Sequence, residues 1–236
     1  MTKTIAVSTT VKVAVIPARG GSKRIPRKNI KSFHGKPMIA WSIETALNSE
    51  CFEQVIVSTD DEEIASIARN YGADVPFVRP ISMADDHIGI GQVIAHAVEW
   101  VQNQGLTPDY LCCIFATAPF IQATDIQSGL KLISKKHCDY VISVTSFAFP
   151  IQRALKFEDD GKVGMFYPSN VYTRSQDLEE SFHDAGQFYW GKTKVWLEGK
   201  PAFLANSLPI RLPRYRVQDI DTFEDWQRAE KMMEVL

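Results

Sequence analysis

Short apolar runs alternate with amphipathic segments along most of the chain. The runs are five to seven residues long, as expected for strands covered on both faces of a sheet. The segments between them repeat apolar residues at helical spacing. Strands are predicted at residues 11–16, 54–58, 74–78, 110–116 and 139–144, and helices at residues 36–48, 61–71, 91–102, 124–136, 192–198 and 223–233. The alternation predicts an α/β fold, a Rossmann-like three-layer arrangement with a mainly parallel sheet.

The pattern changes after Pro150. Two strand-like pieces, residues 152–158 and 162–166, flank an Asp-Asp-Gly turn, which predicts a β-hairpin. The segment that follows, as far as residue 178, carries aromatic residues at positions that we expect to be exposed in a single subunit. We expect a small β-rich insertion at residues 150–180, with two arrangements open: it packs against a second subunit as a protruding dimerisation element, or it folds back on its own subunit as a flap.

The composition fits one large domain over residues 1–236. Hydrophobic residues make up 45% of the chain, which supports a substantial core and argues against disorder. The longest apolar run, residues 110–121, is about half of what a bilayer span needs. The first ten residues lack the features of a secretory signal. The four cysteines have no metal-ligand spacing, so we expect reduced thiols in a cytoplasmic protein.

A cation-rich loop follows the first predicted strand. Residues 19–28 carry five positive charges, although the net charge of the whole chain is only −2. Gly20 and Gly21 would let backbone N–H groups approach a ligand. The loop suits a polyphosphate, but it matches neither the P-loop nor the dinucleotide fingerprint. A solvated basic turn is the alternative. The loop lies beyond the carboxyl end of a buried strand, where α/β sheets bind ligands, and this position favours a binding site over a solvated turn.

A pair of carboxylates lies near the end of the chain, in Asp219-Ile220-Asp221. If this piece is extended, Asp219 and Asp221 share one face and Ile220 points into the core. Two hard oxygen donors are the ligands that Mg²⁺ prefers, and they leave positions for water and phosphate oxygens. The alternative is helix capping, since Asp221 precedes the last predicted helix with Glu224 three positions later.

The stretch Ala18-Arg19-Gly20-Gly21-Ser22-Lys23, followed by Arg27-Lys28-Asn29, resembles the nucleotide-binding signature of the CMP-sialic acid synthetase family. These cytidylyltransferases activate nonulosonic acids, and the resemblance extends from residue 11 to residue 221. Within the family the likeness is strongest to the pseudaminic acid cytidylyltransferases. The resemblance implies Mg²⁺ on Asp219 and Asp221, and catalytic roles for those two residues with Arg19 and Lys28. It implies nucleotide contacts from Ala18, Arg19, Gly20, Gly21, Ser22, Lys23, Lys28, Asn29, Arg79 and Asp86.

The resemblance also implies a sugar subsite. Arg174-Ser175-Gln176-Asp177 resembles the family's sugar-facing stretch, and an arginine fork can hold a sugar carboxylate in a bidentate manner. His183 to Trp190 resembles the pseudaminic version of a second stretch, in which Phe188 and Trp190 alternate toward the core. Phe115 replaces a glutamine that meets sugar in the sialic acid enzymes. The sugar-facing candidates are Thr117, Asn170, Arg174, Gln176, Gln187 and Tyr189.

The reaction implied by the resemblance is CTP plus a nonulosonic acid, most closely pseudaminic acid, giving the CMP-sugar and pyrophosphate. The resemblance also implies a homodimer. Alternatives are activation of sialic, legionaminic or 3-deoxy-manno-octulosonic acid, and, in another class, a catalytically silent nucleotide-binding regulator. A glycosyltransferase ranks lower, because its Asp-x-Asp motif usually follows a mid-chain strand.

Overall fold

The computed structural model describes residues 10–83 and 88–236. Within these ranges the longer helices are α1 (Met38–Asn48), α2 (Glu62–Asn70), α3 (Ile90–Asn103), α4 (Ala123–Lys135), α5 (Thr193–Leu197) and α6 (Phe223–Met233). The strands are β1 (Lys12–Pro17), β2 (Ser32–Phe33), β3 (Lys36–Pro37), β4 (Gln54–Ser58), β5 (Tyr110–Ile114), β6 (Tyr140–Ser146), β7 (Leu155–Phe157), β8 (Val163–Met165), β9 (Phe182–Lys192) and β10 (Ser207–Arg211).

The central sheet has six strands in the order β10-β6-β9-β5-β1-β4. β1 pairs in parallel with β4 and β5, and β6 with β10, whereas β9 runs antiparallel to both of its neighbours. The predicted α/β class with a mainly parallel sheet is therefore confirmed. The strand expected at residues 74–78 is wrong, because only the isolated bridges Ile56↔Asp74 and Thr59↔Val78 form there. Pro76 interrupts that piece and cannot donate to a ladder.

Both faces of the sheet are covered by apolar side chains. Alternate residues of β1 point to opposite layers: Ala14 and Ile16 pack in the layer that contains α1, α2 and α4, and Val13 and Val15 pack with α3 and α5. A third cluster, which includes Ile220, Phe33 and Trp226, holds α6 against the rest of the chain. The four cysteines are buried free thiols.

The predicted hairpin is present in the insertion. β7 pairs antiparallel with β8, and Gly161 supplies the left-handed turn conformation at φ 81°. Its surroundings leave large apolar side chains in solvent: Phe149 is 82% exposed, Phe157 85% and Tyr172 96%. Within the described ranges, no helix combines the length and the apolar content that crossing a bilayer requires.

The contact between α4 and β9 leaves no room for a side chain at Gly129. A Cβ atom added there would lie 2.5 Å from Cδ1 of Trp190 and 3.0 Å from Cε2 of Phe188. Both aromatic side chains are fully buried, so neither can move into solvent.

We predict that Gly129→Ala destabilises the protein despite the better helix propensity of alanine. Overpacking a rigid core costs about 1–3 kcal/mol, whereas the gain in propensity is about 1 kcal/mol. Urea unfolding should therefore give a lower midpoint than for the wild type. Ser128→Ala, on the solvent side of the same helix, is the control and should leave the midpoint nearly unchanged. An increase in stability for Gly129→Ala would show that this interface is loosely packed.

Candidate active site

A cavity of about 330 Å³ opens at the carboxyl ends of β1 and β5. Side chains of the cation-rich loop form one wall, and Phe115 and Thr117, which follow β5, contribute another. Met83, Ile88 and Ile90 add an apolar side. The predicted site residues that line this cavity are Ala18, Arg19, Ser22, Lys23, Lys28, Asn29, Arg79, Thr117 and Asp221.

The two ends of the loop are fixed by side chains that bond to backbone carbonyls. Arg79 is 3% exposed and donates to the carbonyls of Ser58 (3.0 Å) and Ala18 (2.9 Å). Asn29 donates from Nδ2 to the carbonyl of Arg19 across the loop at 3.2 Å. Burial lowers the pKa of Arg79 from its ordinary value, and its Nε has no partner within the described residues. Arg79 therefore supports the loop, and since it also lines the cavity, the nucleotide contact expected from the sequence stays a prediction.

The two loop glycines differ in their surroundings. Neither Gly20 nor Gly21 has a positive φ, whereas Arg27 does, at 55°. A Cβ added to Gly20 would lie 2.6 Å from Oδ2 of Asp61, so glycine is needed there for close packing. A Cβ on Gly21 would meet nothing within 4 Å. Gly21 is thus an open position on the loop.

The loop and the aspartate segment meet directly. Lys28 Nζ donates to the carbonyl of Ile220 at 2.5 Å and lies 3.3 Å from Oδ1 of Asp221. Arg24 Nη2 is 2.9 Å from the same Oδ1. Ile220 is fully buried between its two carboxylate neighbours, as the extended arrangement predicts. Cations from the first part of the chain and the carboxylate of Asp221 from the last part therefore share one side of the cavity, whereas Asp219 does not line it.

The capping alternative for Asp221 is wrong. Thr222 is the N-cap of α6: its Oγ1 accepts from the backbone N–H of Asp225 at 3.2 Å. The side chain of Asp225 accepts in return from the backbone N–H of Thr222 at 2.8 Å. This capping box satisfies the start of the helix. The carboxylate of Asp221 is directed instead to Lys28 and Arg24.

Asp219 lies where negative charge accumulates. Although part of its side chain is exposed, the surrounding protein and then the charge of Asp221 raise the pKa of Asp219 above its ordinary value, and Asp184 adds to the effect. Gly186 has φ 61°, and a Cβ there would lie 3.7 Å from Cγ of Asp219. A divalent cation fits these hard oxygen donors and would relieve their repulsion. Within the described residues, no group of three or more His, Cys, Asp or Glu side chains is arranged to hold a metal. An ion held by Asp219 and Asp221 would need further ligands such as phosphate oxygens or water.

A buried ion pair, missed by the sequence reasoning, holds the aspartate segment in place. Arg216 is 8% exposed and donates to both carboxylate oxygens of Asp125, at 2.8 and 3.2 Å. The carbonyl of Arg216 accepts from Nε2 of Gln187 at 2.6 Å. The hydrogen bonds to Asp125 raise the pKa of Arg216. The segment that carries Asp219 is thereby tied to both α4 and β9.

Of the predicted sugar contacts, Thr117 lines the cavity, and the other five fall into two groups. Gln187 and Tyr189 are buried in β9; the first donates to Arg216, and the hydroxyl of the second donates to Oδ2 of Asp184. Asn170, Arg174 and Gln176 lie in the insertion and are not among the residues that line the cavity. The Arg174 guanidinium bonds to Asp177 at 2.7 Å. Asp86, a predicted nucleotide contact, lies outside the described residues.

Asp184 is a further functional candidate that sequence reasoning missed. It accepts from the Tyr189 hydroxyl and from the backbone N–H of Gly186, and its charge contributes to the raised pKa of Asp219. The only signal in the sequence is an aspartate next to a histidine before an aromatic strand. That signal does not predict a position beside residue 219.

Comparison with known proteins is consistent with this geometry. The family model described as cytidylyltransferase matches residues 13–225. The chain is 43% identical over 223 residues to a pseudaminic acid cytidylyltransferase of Campylobacter jejuni, covering 94% of this chain and 96% of that protein. It is 31% identical over 227 residues to the CMP-N,N'-diacetyllegionaminic acid synthase of Legionella pneumophila, covering 94% and 96%. Its fold matches a CMP:2-keto-3-deoxy-manno-octonic acid synthetase complexed with CTP, with a TM-score of 0.70, 18% identity and coverage of 96% and 99%.

The class of protein is therefore a nucleotidyltransferase of the α/β type. More narrowly, the chain belongs to the cytidylyltransferase family, because the family model spans most of its length. The fold class, the family and the enzyme class expected from the sequence are all confirmed.

We predict that Arg216→Ala lowers the free energy of unfolding by about 3 kcal/mol, because it leaves the buried carboxylate of Asp125 without its partner. Urea unfolding measures the change. Arg214→Ala, an exposed arginine in the same turn, is the matched control and should change stability by less than about 0.5 kcal/mol. Equal effects in the two variants would contradict the anchoring role.

Proposed function

We propose that the enzyme transfers CMP from CTP to the anomeric hydroxyl of a nonulosonic acid and releases pyrophosphate. Pseudaminic acid is the sugar substrate that we propose. The observation that carries the proposal is the contact of Lys28 with Ile220 and Asp221, which brings the cation-rich loop and the carboxylate of Asp221 to one cavity. Asp219, two positions earlier, is not among the residues that line it. The 43% identity to a pseudaminic acid cytidylyltransferase over 94% of the chain supports the choice of sugar. Buried free thiols and a nucleotide substrate fit a reducing cytoplasm.

The transfer needs alignment and charge neutralisation more than a covalent intermediate. The anomeric oxygen attacks the α-phosphorus, the bond from that phosphorus to the bridging oxygen breaks, and the hydroxyl proton leaves to solvent or a nearby acceptor. Arg19, Lys23 and Lys28 would hold the triphosphate and the departing pyrophosphate. Backbone N–H groups around Gly21 and Ser22 would add donors, and the open space at Gly21 suits close approach of a phosphate.

Asp219 and Asp221 would hold the divalent cation, which we propose to be Mg²⁺. When bound, this ion would supply charge neutralisation at the phosphates and favour ionisation of the attacking hydroxyl. Lys28 and Arg24 contact Asp221, so the carboxylate is already oriented toward the cavity.

The insertion supports the proposal of a homodimer. Its exposed side chains include Phe157, Phe166 and Tyr172, large aromatic residues of the kind that subunit interfaces bury. The side chain of Arg174 is 72% exposed and does not line the cavity of its own chain. We therefore propose that residues 150–180 form the dimer contact and that Arg174 binds the sugar carboxylate in the partner's site, with Asn170 and Gln176 beside it.

We predict that Asp219→Ala and Asp221→Ala each lower kcat/KM by roughly a thousandfold or more while the protein stays folded. Pyrophosphate release is measured with CTP, Mg²⁺ and a panel of pseudaminic, legionaminic, sialic and 3-deoxy-manno-octulosonic acids. The pseudaminic acid rate should be the highest for the wild type.

The control is Glu224→Ala, which removes an exposed carboxylate three residues after Asp221 and should leave the rate within about twofold. A wild-type rate of pyrophosphate release in either aspartate variant would contradict the proposal that Asp219 and Asp221 hold Mg²⁺. CTP binding with no pyrophosphate release from any sugar would instead favour a silent nucleotide-binding regulator.

We predict that Arg174→Ala and Asp221→Ala complement each other in mixed dimers. After the two inactive variants are unfolded together and refolded at equal concentration, half of the dimers contain one chain of each kind. Each of these has one intact site if Arg174 acts across the interface, so about a quarter of the wild-type rate should return.

Phe157→Glu, which places a charge in the apolar surface of the insertion, should prevent both dimer formation and this recovery. Sedimentation measures the first and pyrophosphate release the second. No recovery from the mixture, although sedimentation shows a dimer, would place Arg174 in the site of its own chain.

A further inference from the structure

The side chain of Arg27 points away from the cavity and bonds to the start of α2. Its Nη1 donates to Oδ2 of Asp61 at 2.5 Å, and its Nη2 donates to Oδ1 of Asp61 at 2.9 Å and to Glu63 at 2.5 Å. A bidentate pair of this kind fixes direction as well as distance. Arg27 therefore connects the cation-rich loop to an element outside the site already described.

Asp61 is a rigid partner for this contact. It is the N-cap of α2, where its Oδ1 accepts from the backbone N–H of Ile64 at 2.9 Å. Its own N–H donates to Oγ1 of Thr59 at 3.2 Å. The hydrogen bonds from Arg27 hold the pKa of the Asp61 carboxyl below its ordinary value, so the carboxylate is ionised at neutral pH.

The loop is packed tightly onto this pair. A Cβ on Gly20 would lie 2.6 Å from Oδ2 of Asp61 and 3.1 Å from Nη1 of Arg27. Gly20 therefore packs directly against the ion pair of Arg27 with Asp61, and the position of the loop at Gly20 depends on that pair. Arg27 has a left-handed backbone conformation, with φ 55°, while its side chain makes this ion pair.

Arg27 and Lys28 are adjacent in the loop, but their side chains contact different parts of the protein. Arg27 reaches α2, whereas Lys28 reaches Ile220 and Asp221. Arg27 is absent from the cavity lining, which includes Lys23, Arg24 and Lys28. Since both of its terminal nitrogens already donate to carboxylates, Arg27 is placed to hold the loop rather than the nucleotide.

We propose that Arg27 is a positioning residue: together with Asp61 and Gly20 it fixes the triphosphate-binding loop before CTP arrives, without touching the nucleotide. A preorganised loop loses less conformational freedom on binding, so the pair contributes to affinity for CTP. This inference rests on the proposed function of the site.

The test compares Arg27→Ala with Asp61→Asn. Asparagine keeps the N-cap acceptor and so spares α2, but it removes the ionic partner of Arg27. Both variants should raise the Kd for CTP, measured by calorimetry, and the KM for CTP roughly tenfold, with kcat and the KM for the sugar changed less than about threefold. The double variant should be no worse than either single one. Arg27→Lys keeps the charge without the fork and should recover only part of the loss.

Arg69→Ala is the matched control, because it breaks an exposed ion pair with Glu62 on the same helix and should leave the KM for CTP unchanged. The melting temperature of each variant shows whether a loss of affinity comes from a disordered loop or from unfolding of the whole protein.

If Arg27 instead bound phosphate directly, Asp61→Asn would leave the affinity for CTP unchanged or improve it, and that result would overturn the proposal. An unchanged KM for CTP in Arg27→Ala would also overturn it. If the wild type neither binds CTP nor releases pyrophosphate, the proposed function fails, whatever these variants do.

Discussion

The contact of Lys28 with Ile220 and Asp221 is the interaction on which the active site depends. It joins two segments separated by 192 positions in the chain. Asp221 lies 3.3 Å from Lys28 and 2.9 Å from Arg24, so a carboxylate of the aspartate segment contacts two cations of the loop. Their opposite charges attract and help to hold the two segments together. The same charges are those that a nucleoside triphosphate and a divalent cation require.

The rest of the fold holds these two segments at a fixed separation. Arg79 and Asn29 fix the ends of the loop through backbone carbonyls, and the pair of Arg216 with Asp125 fixes the aspartate segment. Because each support is buried and hydrogen-bonded, the site can be rigid before any ligand arrives, which is the condition for stabilising a transition state by preorganised charge.

Hydrophobic periodicity was enough to predict most strands and helices, because burial on one or two faces leaves a clear pattern. Residues 54–58 and 223–233 have the predicted bounds. Pairings between distant polar side chains could not be predicted, since nothing local in the sequence links Arg216 to Asp125. Nor does any local pattern predict that Arg79 donates to the carbonyls of Ser58 and Ala18, because every sequence provides backbone carbonyls. The loop and the aspartate pair were found because unusual charge marked each of them, and resemblance to a family joined them.

The most direct test of this account is a crystal structure of the protein with Mg²⁺ and a CTP analogue that carries a methylene group between the α- and β-phosphorus atoms. We predict that the triphosphate lies between the residue 19–28 loop and Asp221, with Lys28 and Arg19 at the phosphates and Mg²⁺ shared by the phosphates, Asp219 and Asp221. A triphosphate bound elsewhere, or bound at the loop with both aspartates out of reach of its metal ion, would contradict the claim that these two segments act on one nucleotide.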